Sequence, residues 1–201
     1  MMHIGMDFDN TVVVYDEVFY VHAVKLGLIK KGLRKNKQII RDTIRHLPDG
    51  ESEWIKLQGL VYGLNIDEAG PAEGVEDFLT ICKEKRVPVS IISHKTLYPA
   101  LGPKYDLHKA AKDWLEHRDF ALRFGISSEG MIFETTLQGK YDKIKERECT
   151  HFIDDLPEVL LNPKFPEGVV KILYSKVEEN SSGDYVHFST WAQIQAYFFG
   201  K

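Results

Sequence analysis

The chain has 201 residues, 43% of them hydrophobic and 28% charged, and a formal net charge of -4. This composition excludes disordered, collagen-like and membrane-embedded classes, and the charge argues against a nucleic-acid binder. The length suits one hydrophobic core with some residues left for an inserted module.

The two cysteines, Cys82 and Cys149, are far apart and lack Cys-x-x-Cys spacing, so they are expected to be small core residues in a reducing compartment. Met1 to Asp9 holds no Lys or Arg and lacks the layout of a secretory signal. No apolar run approaches membrane-spanning length, so a cytoplasmic protein without a membrane partner is expected.

From the amino end, His3 to Phe8 is a short, nearly continuous apolar run that predicts a strand buried on both faces of a parallel sheet. It ends among aspartates. From Tyr15 to about Gly63 the pattern becomes helical, through Val18, Val21, Val24 and Leu28, then Ile39, Ile40 and Ile44, then Trp54, Leu57 and Val61. That is room for about three helices. Gly70, Pro71 and Gly74 mark a return to the main domain, followed by a predicted helix over Val75–Lys85 and a strand over Val87–Ile92.

Leu107 to Arg118 carries helical spacing, Met131 to Phe133 predicts a short strand, and Lys140 to Glu148 a helix. Thr150 to Ile153 predicts a strand ending in Asp154 and Asp155, with further strands at Val169–Tyr174 and Tyr185–Phe188 and a final helix over Thr190–Phe199. Strands alternating with helices imply a parallel α/β sheet. Asp7, Asp9, Asp154 and Asp155 then meet at its carboxyl edge, where open α/β proteins bind ligands. Acids this close repel and take up protons unless a cation offsets them, and an oxygen-rich set without paired His or Cys suits Mg²⁺.

Asp7-Phe8-Asp9-Asn10-Thr11-Val12 resembles the first motif of the haloacid dehalogenase superfamily, Asp-x-Asp-x-Thr followed by an apolar residue, at every defining position. Ser93 after its apolar strand resembles the second motif, and Phe152-Ile153-Asp154-Asp155 the double-aspartate form of the fourth. The resemblance implies a Rossmann-like α/β core, residues 1–12 and 70–201, with a small helical cap inserted at 13–69.

It also implies a Mg²⁺-dependent phosphomonoester hydrolase for a small phosphorylated metabolite, a sugar phosphate or nucleotide. Asp7 would accept the phosphoryl group, Asp9 would protonate the leaving alcohol and then activate water, and Asp7, Asp9, Asp154 and Asp155 would hold the metal. Ser93 and a lysine would hold the phosphoryl oxygens, with help from backbone N–H groups over Phe8 to Asn10. Lys140, after Gly139, is preferred for that lysine, and Lys143 is the alternative.

Thr11 completes the first motif, while Asn10 and the cap bear on specificity. His94 follows Ser93 and could face the site, although a structural or surface histidine is the plainer reading. Lys37, Arg41 and Arg45 recur every four residues and predict a basic stripe on one helix of the insert, with Lys37 and Arg41 as candidates to attract an anionic substrate. Its plainer reading is a solvated face. A phosphomutase would share every motif, and a non-catalytic regulatory protein could keep the fold. A glycosyltransferase using Asp-x-Asp is disfavoured by the lack of room before Asp7, and a metal-free dehalogenase by Asp9 and the Asp154/Asp155 pair. The oligomeric state stays open.

Overall fold

The computed structural model describes residues 1–177 and 183–200. In chain order its elements are β1 (Ile4–Met6), β2 (Val13–Val14), α1 (Asp16–Lys25), α2 (Lys37–Arg45), α3 (Gly50–Gly59), β3 (Gly70–Pro71), α4 (Val75–Glu84), β4 (Val89–His94), α5 (Leu107–His117), α6 (Phe120–Phe124), β5 (Met131–Glu134), α7 (Leu137–Glu146), β6 (His151–Asp154), α8 (Pro157–Leu160), β7 (Val170–Tyr174), β8 (Val186–Phe188) and α9 (Trp191–Phe199). They divide into two compact units, Met1–Val13 with Pro71–Lys95 and Asp119–Lys201, and Val14–Gly70 with Thr96–Arg118.

The first unit is built on a six-stranded sheet in the order β5-β4-β1-β6-β7-β8. Every adjacent pair is parallel, with Met6 opposite Ile91 on one side and Ile153 on the other. The apolar runs behave as a doubly covered sheet requires. Ile4, Met6, Ile91, Ile92, Phe152, Ile153, Ile172 and Leu173 are all fully buried. Gly5 in the centre of β1 allows close packing, since a Cβ there would stand 2.5 Å from the Phe152 ring.

Helix starts follow side-chain caps. Thr136 accepts from the Gly139 N–H, and Thr190 forms a reciprocal capping box with Gln193. The Thr136 cap explains why α7 begins three residues before the predicted Lys140. It ends earlier too, because Glu148 takes a left-handed φ of 52°. The strand after α4 begins two residues later than predicted and runs on to His94. The short α6 and α8 had no periodic signal of their own.

The second unit packs α1, α2 and α3 around Phe19 and Trp54, whose rings stack at 4.9 Å. After α3 the backbone widens into a π turn at Leu60–Leu64. Residues 96–118, including α5, belong to this unit. Gly59 and Gly63 let that segment approach, as a Cβ on either would meet Pro99 at 2.7 Å or Tyr105 at 2.5 Å. The buried Trp114 indole then donates to the Ala69 carbonyl at 2.9 Å, and the Arg118 guanidinium lies 4.3 Å over the Trp114 ring. Among the described residues no helix is long and apolar enough to cross a membrane.

Candidate active site

The carboxyl ends of β1 and β6 bring charge together inside the first unit. Asp7 directly follows β1 and Asp154 closes β6, and the Asp7 N–H donates to the Ile153 carbonyl at 2.8 Å. Lys140, on α7, reaches both acids. Its ammonium lies 2.6 Å from Asp7 Oδ1 and 2.6 Å from Asp154 Oδ2. All three are buried, with relative exposures of 6% for Asp7, 0% for Asp154 and 2% for Lys140.

Such burial demands mutual compensation. For Lys140, burial alone lowers the pKa, but the charges of Asp154 and Asp7 and the bonds to them outweigh it and hold the ammonium above its ordinary value. Asp154 shows the opposite balance. Burial first, and then the charge of Asp7, push its carboxyl up to about 6 despite Lys140 and the Leu156 N–H that also bind it.

Asp155 sits at the rim and accepts from the Asn10 amide at 3.2 Å. Asn10 has a left-handed φ of 57°, a conformation Asn tolerates well, and so turns the chain at the end of the first motif. Carboxylate oxygens of Asp7, Asp154 and Asp155 lie within 4.8 Å of one another, close enough to hold one metal ion together. Two hydroxyls complete the picture. The Oγ1 of Thr11 and the Oγ of Ser93 are buried and have no hydrogen-bond partner among the described residues. A buried orphan hydroxyl costs about 1–3 kcal/mol, so a ligand that bonded to Ser93 would recover that loss. Ser93 lies on the strand beside β1, two residues beyond the partner of Met6.

Other candidates fall elsewhere. Lys143 bonds to Glu146 at 2.6 Å on the surface of α7. His94 is exposed at the end of β4. The Phe8 side chain is core, set edge-on to Phe133 at 5.3 Å, which leaves only its backbone for a ligand. Lys37 and Arg41 lie in the second unit, where Arg41 pairs with Asp42, Arg45 pairs with Glu51, and the Lys37 ammonium lies 5.4 Å over the Tyr62 ring.

The sequence reading stopped at His94 and missed Lys95. This lysine is 5% exposed and its ammonium lies 2.7 Å from Asp9 Oδ2. The available signal was alternation: Ser93 is buried, His94 exposed and Lys95 buried, so Ser93 and Lys95 share a face.

Compared with solved structures, the chain matches a HAD-superfamily hydrolase from Ehrlichia chaffeensis at 14% identity, covering 98% of this chain and 97% of that one with a TM-score of 0.55. It has the fold of the haloacid dehalogenase (HAD) superfamily. A predicted phosphoglycolate phosphatase from Haemophilus somnus matches at 15% identity, 98% of each chain and a TM-score of 0.61. A putative β-phosphoglucomutase from Thermotoga maritima matches at 12%, 98% of each chain and 0.56. Dehalogenases are among the other matches. No protein-family model and no curated protein matches the sequence. On this HAD fold, the residues of the three motif resemblances stand at the ends of β1, β4 and β6, with Lys140 reaching Asp7 and Asp154 from α7.

Proposed function

We propose that the chain is a phosphomonoester hydrolase that works through an aspartyl-phosphate on Asp7. The observation that carries this reading is the convergence of carboxylates from two parallel strands around one fully buried ammonium, Lys140. The ammonium orients the Asp7 carboxylate, and Ser93 supplies a hydroxyl with no other partner among the described residues.

In the first step an oxygen of Asp7 bonds to phosphorus as the ester P–O bond breaks, and Asp9 gives a proton to the departing alkoxide. In the second, Asp9 takes a proton from water as the water oxygen bonds to phosphorus, and the bond to Asp7 breaks to release phosphate. Lys140 and Ser93 stabilise the phosphoryl oxygens throughout.

The all-oxygen donor set fits Mg²⁺, which Asp7, the main-chain oxygen of Asp9 and the Asp154/Asp155 pair would hold, and which would offset repulsion between carboxylate and phosphate. The helical unit is assigned the selection of a small phosphorylated metabolite. A reducing, cytoplasmic setting agrees with two free, buried thiols, Cys82 and Cys149, each pushed up to about 12 chiefly by burial. The deciding experiment is phosphate release from p-nitrophenyl phosphate with and without Mg²⁺. Metal-dependent release supports the hydrolase, whereas isomerisation of a phosphosugar without release would favour a mutase.

A further inference from the structure

Lys95 is a buried charge that the proposed mechanism does not use. Its backbone is pinned at the end of the sheet, the N–H donating to the Glu134 carbonyl at 2.8 Å. Its ammonium approaches both oxygens of Asp9, at 3.0 Å from Oδ1 and 2.7 Å from Oδ2. The two partners differ in exposure. The Lys95 side chain is 4% exposed and that of Asp9 21%.

This asymmetry argues against a pair kept for stability alone. A carboxylate as accessible as Asp9 can be solvated where it stands, whereas burying an ammonium costs several kcal/mol of lost hydration. The cation is the fixed member, rooted just past the end of β4 and two residues after Ser93. The acid that leans on it stands on the turn that carries the first motif.

We propose that Lys95 is a positioning residue that holds the Asp9 carboxylate in the one place from which it can serve both half-reactions. The leaving alkoxide and the later water occupy the same side of phosphorus, so a carboxylate fixed from behind needs no movement between the steps. This inference rests on the reading of Asp7 as nucleophile and Asp9 as the proton-transferring group. It adds a residue that acts through Asp9 and does not itself touch the phosphoryl group.

The two half-reactions allow a direct test. A p-nitrophenolate leaving group is weakly basic and departs without a proton, whereas breakdown of the phosphoenzyme still needs water to be activated by Asp9. Rapid-quench single turnovers with p-nitrophenyl phosphate give both rate constants. In Lys95→Met, phosphoenzyme formation should stay within about threefold of wild type and the substrate dissociation constant from the single turnovers within about twofold, while decay slows by about 30-fold and steady-state KM falls with it. Lys95→Arg, which retains the charge, should recover most of the decay rate.

If Lys95→Met does not fold, Lys95→Gln carries the same expectation. Unchanged decay, or equal slowing of both steps, would overturn the positioning role and leave the ion pair as a structural one. A wild-type protein that forms no phosphoenzyme, or an Asp7→Asn variant that still forms one, would instead overturn the nucleophile assignment, and the role of Lys95 with it.

Discussion

At the carboxyl edge of β1 and β6, Lys140 is locked between Asp7 and Asp154 with all three side chains buried. Along α2, Arg41 and Arg45 carry the same kind of charge on side chains 37% and 42% exposed, each beside an acid of its own surface. The stripe is as regular in sequence as the motif is, yet surroundings separate the two. An exposed pair in water contributes about 0–1 kcal/mol, whereas removing one partner of a buried set costs about 3–5 kcal/mol. Regular spacing therefore identifies a face, and burial identifies the charges on which the site depends.

The largest effect expected from breaking this contrast is on chemistry. Asp7→Asn and Asp9→Asn should each lower kcat by at least about a thousandfold while circular dichroism stays native, since neither variant changes side-chain volume appreciably. Near-normal phosphate release by a folded Asp7→Asn protein would remove the basis of the proposed mechanism.

Next in size is a stability effect. Lys140→Met leaves Asp7 and Asp154 facing each other without a cation, and in EDTA it should destabilise the fold by about 3–5 kcal/mol. Mg²⁺ should return part of that loss by supplying positive charge at the same place. Chemical denaturation with and without Mg²⁺ measures both, and equal stability of mutant and wild type in EDTA would erase the distinction between the two regions.

A third effect depends on pH. Because burial and Asp7 raise the Asp154 carboxyl to about 6, this group is neutral below that pH and must lose its proton to bind a cation. Mg²⁺ affinity should thus be full above about pH 7 and fall as pH drops through 6, approaching tenfold per unit. Titration calorimetry at pH 7.5, 6.0 and 5.0 would show it; an affinity that stays constant across this range would mean that Asp154 gives up no proton when the cation binds.

The smallest effect is reserved for the stripe. Lys37→Ala combined with Arg41→Ala should cost less than about 1 kcal/mol of stability and change kcat/KM by no more than about threefold. A clear rise in KM at low salt that shrinks as salt is added would instead give the stripe a part in attracting substrate.

Much of the architecture is legible from local pattern. The apolar runs before Asp7, Ser93 and Asp154 read as buried parallel strands because a strand covered on both faces has no polar alternation to disguise it. Acids at strand ends then imply a shared edge. Helix boundaries were less legible: α7 is set by the Thr136 cap and by the left-handed Glu148, single residues that no periodicity reports. The grouping of residues 96–118 with the helical unit depends on Gly59, Gly63 and Trp114, contacts between segments distant in sequence.

What the sequence by itself determined is the chemistry on offer: two pairs of aspartates closing apolar strands, a serine closing a third, and several lysines nearby. Only the tertiary structure decided where those lysines lie. Lys140 and Lys143 both precede the double aspartate and the sequence only prefers Lys140; in the fold Lys140 projects into the sheet edge from α7 while Lys143 turns back to Glu146 on the surface. Lys95 carried no motif at all, yet the parallel pairing of β4 with β5 and β1 sets it beside Asp9. Charge reaches across tens or more than a hundred residues of chain only after folding has removed the water between partners, and that distance is invisible to spacing.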